Sequence, residues 1–155
     1  MRKLKWTAVI MVMIFIGLQF NTREHTNPPF DETKSLEKMI GVPTEVSAAF
    51  ARSCNDCHTN NTNWRWYTYV APVSWWTVGH VNEGRAELNF SEWGTYGARM
   101  KKTRLSAICE QTKLGTMPLA SYAMVHREVV LSAEEVKSIC EWTEQEEKLL
   151  ALAHP

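Results

Sequence analysis

The chain has 155 residues, balances 17 basic against 17 acidic side chains and carries seven tryptophans. That length supports one domain with a single modest core. A net charge of zero with no basic stripe lacks the electrostatic footprint of a nucleic-acid binder, so no nucleic-acid partner is expected.

At the N-terminus, Arg2, Lys3 and Lys5 precede the apolar run WTAVIMVMIFIGLQF, Trp6 to Phe20. A basic start followed by a short apolar run is the pattern of an export signal. No small-x-small cleavage motif follows, because GLQFNTREH offers bulky and charged side chains. The run is shorter than the roughly 20 residues needed to span hydrocarbon. Snorkelling of Lys3 and Lys5, with Trp6 at the interface, makes up part of the difference. Residues 1–20 are therefore expected to be an uncleaved membrane anchor, with a cleaved signal peptide and a buried helix of the domain as the alternatives. The positive charges before the helix predict a cytoplasmic N-terminus and a domain on the far side of the membrane, in the periplasm where that membrane is a bacterial inner one.

Residues 21–41 read as a polar tether, because Pro28 and Pro29 cannot continue the anchor helix. A domain over residues 42–155 follows. Pro43 suits a first helical position, and Val46, Phe50 and Cys54 recur at spacings of four, up to Cys57 and His58. A second helix is expected from Pro72 to Leu88, and a third from about Tyr96 to Leu114 with Gly115 at its end. Ser132 and Glu135 form an S-x-x-E capping box for the last helix, in which Val136, Ile139, Cys140 and Thr143 share a face. No alternating strand pattern competes, so the fold class is all-α, with about four short helices. Their apolar area leaves room for a cofactor in the middle.

The pentapeptide CNDCH, Cys54 to His58, supplies the chemistry. On a helix, positions i and i+3 share a face, so both sulfurs can reach one flat object. For covalently attached haem this spacing lets Cys54 and Cys57 form thioethers while His58 ligates the iron. A thioredoxin-like dithiol would want a preceding strand and a βαβ surround, and zinc would want a second close ligand pair. Neither is visible, although a simple disulfide between the two cysteines also fits the spacing. Downstream, Met117 is followed by Pro118 in the loop GTMPLASY, where the ring stiffens the backbone beside the thioether. Met117 is thus the expected sixth ligand, with His80 and His126 as substitutes.

Three blocks, SCNDCHTNNTNWRWYTYVAPVSWW, HVNEGRAELNFSEW and GTMPLASYAMVHREVVLS, resemble the small haem-binding domain of membrane-anchored bacterial c-type cytochromes. The resemblance covers most of Val42 to Trp142 and includes the NPP tether. It implies a monohaem cytochrome c-like fold, one covalent haem c on Cys54 and Cys57, His58 as the proximal ligand and Met117 as the distal one. The function expected is that of a one-electron carrier for redox partner proteins, not an enzyme. A haem-based sensor or peroxidase-like site is the alternative, and it would require a displaceable Met117. A Trp-rich carbohydrate- or base-binding module without haem is the third.

Trp64, Trp66, Trp75, Trp76 and Trp93 are expected to pack around the cofactor, and Asn61, Asn63 and Arg65 are candidates to meet its propionates. Cys109 and Cys140 sit on the apolar sides of their helices, where a disulfide and two buried thiols fit equally well.

Overall fold

A computed structural model describes residues 2–153, and among them every regular element is helical. The all-α expectation is met. Eight α-helices are present, α1 Arg2–Leu18, α2 Leu36–Met39, α3 Thr44–Ser53, α4 Asn55–His58, α5 Val73–Glu87, α6 Ala98–Lys113, α7 Ala120–Val125 and α8 Ala133–Ala153. The four expected helices correspond to α3 with α4, α5, α6 and α8. The short α2 and α7 were not anticipated, because four to six residues carry too little periodicity to register.

The pair α6 and α8 forms the spine. Leu105 and Ile108 of α6 join Ile139 and Trp142 of α8 in the core, and a Cys109–Cys140 disulfide ties the two helices. The capping box closes in both directions at the start of α8: the Ser132 N–H donates to Glu135 Oε2 at 2.8 Å, and the Glu135 N–H donates to Ser132 Oγ at 3.2 Å. Glu135 also accepts from Arg52 Nη2 at 2.7 Å, which fixes α3 against α8. Val46, Ala49 and Phe50 of α3 complete one side of the core.

Two segments enter that core from outside the expected helices. Phe90 and Trp93 lie on a 3-10 turn, Phe90–Thr95, and both are buried, Trp93 completely. Trp93 was expected beside the cofactor. It instead fills the helical core, because the turn directs it onto Tyr96 in an edge-on contact at 5.8 Å.

Residues 21–41, expected as a polar tether, are mostly exposed but are fastened to the domain at several points. Leu36 is 1% exposed within the core, and Asn27 exchanges hydrogen bonds with the Thr62 backbone. The Gly41 carbonyl accepts from Trp142 Nε1 at 3.0 Å. The apolar Leu36 and the polar anchors on either side explain why a segment of tether-like composition docks.

α1 is different. None of its residues is buried, so it is not a helix of the soluble core. A 3-10 turn extends it, and Arg2–Asn21 is long and apolar enough by length and composition to cross a membrane. At 1.5 Å per residue such a helix spans about 30 Å.

Candidate cofactor site

The chain breaks between α3 and α4 at Cys54, whose φ of −123° leaves the helical region. The turn survives the break. Both the Cys57 and the His58 N–H donate to the Cys54 carbonyl, at 3.1 and 3.0 Å, so the three site residues stay on one tight turn. Cys54 and Cys57 are free thiols, which sets aside a disulfide between them.

α5 is the wall behind this turn, and Gly84 sets its distance. A Cβ built on Gly84 would stand 2.8 Å from the Cys57 carbonyl oxygen, closer than real Cβ atoms come. A glycine inside a helix costs about 1 kcal/mol relative to alanine, and here close approach is what requires it. At the end of α5 the chain supplies the partner for His58, whose Nδ1 lies 2.9 Å from the Leu88 carbonyl. A carbonyl can only accept, so Nδ1 carries the proton and Nε2 keeps its lone pair. Burial also pulls the His58 pKa below the ordinary histidine value, against the opposing pull of the Leu88 and Gly84 carbonyls. The result is a neutral imidazole with one nitrogen held and the other available.

Cys54, Cys57, His58 and Met117 line one cavity of about 290 Å³, together with His80, Pro118, Leu119 and Tyr122. Met117 reaches it from the loop after α6. Gly115 takes the left-handed φ of +66° that ends the helix, and the Thr116 and Met117 N–H groups both donate to the Gln111 carbonyl. A second lobe of about 350 Å³ shares Cys57, His80, Leu119 and Tyr122 with the first and is lined by Trp64, Trp66, Tyr67 and Trp76. The two lobes adjoin across these shared residues, and their combined volume is of the size that holds a cofactor, roughly 300–1,000 Å³ in general.

The chemistry of the donors suits haem better than the rivals. Burial pushes the Cys54 thiol up to about 12 and the Cys57 thiol up to about 11. Both thiols are therefore protonated near neutrality before any group is attached. Among the described residues no three His, Cys, Asp or Glu side chains gather as a metal-ion site. His80 adds a positive sign of fit: its Nε2 is buried and has no hydrogen-bond partner in the protein, and it stands on the wall shared by both lobes. A buried polar atom left unpaired costs about 1–3 kcal/mol, so a bound group that pairs with it is favoured.

The other expected residues divide. Trp64, Trp66 and Trp76 line the second lobe, while Trp75 Nε1 donates to the Asn21 carbonyl and Trp93 belongs to the core. His126 lies outside both lobes, and each of its ring nitrogens has a partner, Tyr67 Oη at 2.6 Å and Glu128 Oε1 at 3.3 Å. Asn63 lines the cleft and its N–H donates to Asp56 Oδ1, while Asn61 and Arg65 lie outside both lobes.

Two positioning groups had no sequence motif to announce them. Arg85 donates to the Thr59 and Thr26 carbonyls, Asn27 Oδ1 and Thr62 Oγ1, all within 3.0 Å. It thereby clamps the strand of chain leaving the CNDCH turn. Tyr122 Oη donates to Asp56 Oδ2 at 2.6 Å and ties α7 to that turn. Only the interior glycine of NEGR pointed to a close contact nearby.

A family model described as a haem-binding domain matches residues 13–145 of the chain. No curated protein and no solved structure matches it.

Proposed function

The chain belongs to the haem-binding domain family, whose cofactor is haem, and we propose that it is a membrane-anchored haem c protein acting as a one-electron carrier in the bacterial cell envelope. The observation that carries this is the meeting of both free thiols, the available Nε2 of His58 and the Met117 side chain around one cavity. Haem, when bound, supplies a one-electron couple at its iron.

The protein's own part follows from the residues. Cys54 and Cys57 would hold haem through thioether bonds, each S–H adding across a vinyl double bond with sulfur on one carbon and hydrogen on the other, so that attachment would need no oxidant. His58 would hold the iron through Nε2, its ring oriented by the bond from Nδ1 to the Leu88 carbonyl. Met117 would hold it through the thioether, from a loop braced on Gln111. With both His58 and Met117 holding the iron, the chemistry haem would supply here is electron transfer rather than substrate turnover. The aromatic second lobe would supply an apolar wall against the cofactor.

The test is a reduced pyridine haemochrome spectrum after acid-acetone extraction, on protein made with c-haem maturation machinery. A c-type band that stays with the polypeptide and vanishes in Cys54→Ala/Cys57→Ala supports the proposal. Complete extraction of haem overturns covalent attachment. A second reading, a sensor or peroxidase-like site with a displaceable sixth ligand, draws on the unpartnered His80 Nε2 in the same cleft. Carbon monoxide separates the two. The reduced native carrier resists it and Met117→Ala admits it, whereas a sensor binds it without mutation.

A further inference from the structure

We propose that the aromatic face Trp66, Tyr69, Val73 and Trp76 lies in the lipid headgroup layer, so that the haem cleft opens onto the membrane surface. The inference rests on α1 being the membrane anchor.

The end of α1 is stapled to this face. Gln19 makes a two-way contact with the backbone of Ala71: its Oε1 accepts from the Ala71 N–H at 3.0 Å, and its Nε2 donates to the Ala71 carbonyl at 3.1 Å. Trp75 Nε1 donates to the carbonyl of Asn21. A few residues on, His25 Nε2 donates to the Thr68 carbonyl at 2.7 Å, and its ring stacks on Tyr69 with centroids 4.0 Å apart. The segment from Thr68 to Trp75 therefore travels with the last turn of the anchor. When α1 is embedded, that segment is held at the level where the helix leaves the hydrocarbon.

The side chains suit that level. Trp66 is 79% exposed, Tyr69 52%, Trp76 51% and Val73 40%, a set of large apolar groups left largely uncovered by the protein. The thirteen residues Trp64 to Trp76 carry one charge, Arg65, which is positive as anionic headgroups require. By contrast α8 alone carries eight charged side chains. Tryptophan and tyrosine concentrate at membrane interfaces because the ring is apolar while the N–H or O–H stays hydrated. Amphipathic surfaces of this kind settle about 5–10 Å into the headgroup boundary. Trp66, Val73 and Trp76 also line the second lobe of the cleft. A redox partner entering by this mouth approaches along or from within the membrane.

The test uses the full haem-loaded chain in phosphatidylethanolamine–phosphatidylglycerol vesicles. A nitroxide is attached through a ketone-bearing phenylalanine analogue at position 66, 10 or 137, leaving the native cysteines untouched. The ratio of collision with oxygen to collision with a water-soluble nickel chelate reports depth. Position 10 should read lipid-like, position 137 water-like, and position 66 several-fold above 137 but below 10. If position 10 is lipid-like while 66 equals 137, the face stands in water, free for a protein partner; the proposal fails and the anchor survives. If position 10 reads as aqueous as 137, the anchor reading fails and takes this proposal with it.

Discussion

The block built from α3, α6, α8 and the Phe90–Thr95 turn completes itself, whereas the region of α4, α5 and the Met117 loop does not. In the first, Phe50, Trp93, Leu105 and Ile139 are almost fully buried against one another, and a disulfide and the Arg52–Glu135 pair hold the helices in place. In the second, free thiols and half-exposed indoles surround a cleft. The difference teaches a division of labour. A domain this small can assemble one closed core from its own side chains, and it holds a second, open region ready by leaning it against the first.

That division can be broken from the scaffold side. Trp93→Ala should have the largest effect, a loss of about 3–5 kcal/mol in urea unfolding, because a fully buried indole leaves a cavity that the packed turn cannot close. If the block supports the cleft, haem incorporation should fall in the same variant. An unchanged haem yield would show that the cleft folds independently.

Next in size is the disulfide. It joins residues 31 apart, so Cys109→Ser/Cys140→Ser should cost about 3–4 kcal/mol on the loop-entropy estimate while leaving the haem spectrum unaltered once folded. A shifted spectrum would mean that α6 transmits strain to the Met117 loop.

The smallest expected change in stability sharpens the contrast from the other side. Gly84→Ala gains up to about 1 kcal/mol in helix propensity but forces a methyl against the Cys57 carbonyl, and overpacking of this kind costs about 1–3 kcal/mol. Stability to unfolding should fall by no more than about 2 kcal/mol, whereas the fraction of chain carrying haem should drop markedly. Equal haem content with wild type would remove the close approach of α5 from the account of the site.

Much of this was legible in the residue order, and the reasons are local. Cys54, Cys57 and His58 lie on a single turn, so their spacing alone places them together. Ser132 and Glu135 satisfy each other three residues apart, and the capping box was readable for that reason. The long periodic helices α5, α6 and α8 announced themselves through repeated turns. The docked segment 21–41 was not legible, since one buried Leu36 among polar residues carries no periodic signal. Trp93 was misplaced for a related reason: composition names a large apolar ring but not the core it fills.

By itself, then, the sequence determined the all-α class, the CNDCH turn, the Met117–Pro118 loop and the apolar N-terminal helix, because each depends on residues within a few positions of one another. Only the tertiary structure decided that Met117 and His80 share a cavity with His58, that the Leu88 carbonyl leaves Nε2 of that histidine available, that Arg85 clamps the outgoing chain and that Cys109 bonds Cys140. Those pairings join distant parts of the chain, and no local preference specifies them. They follow from how the helices close over the core and how near Gly84 lets α5 come.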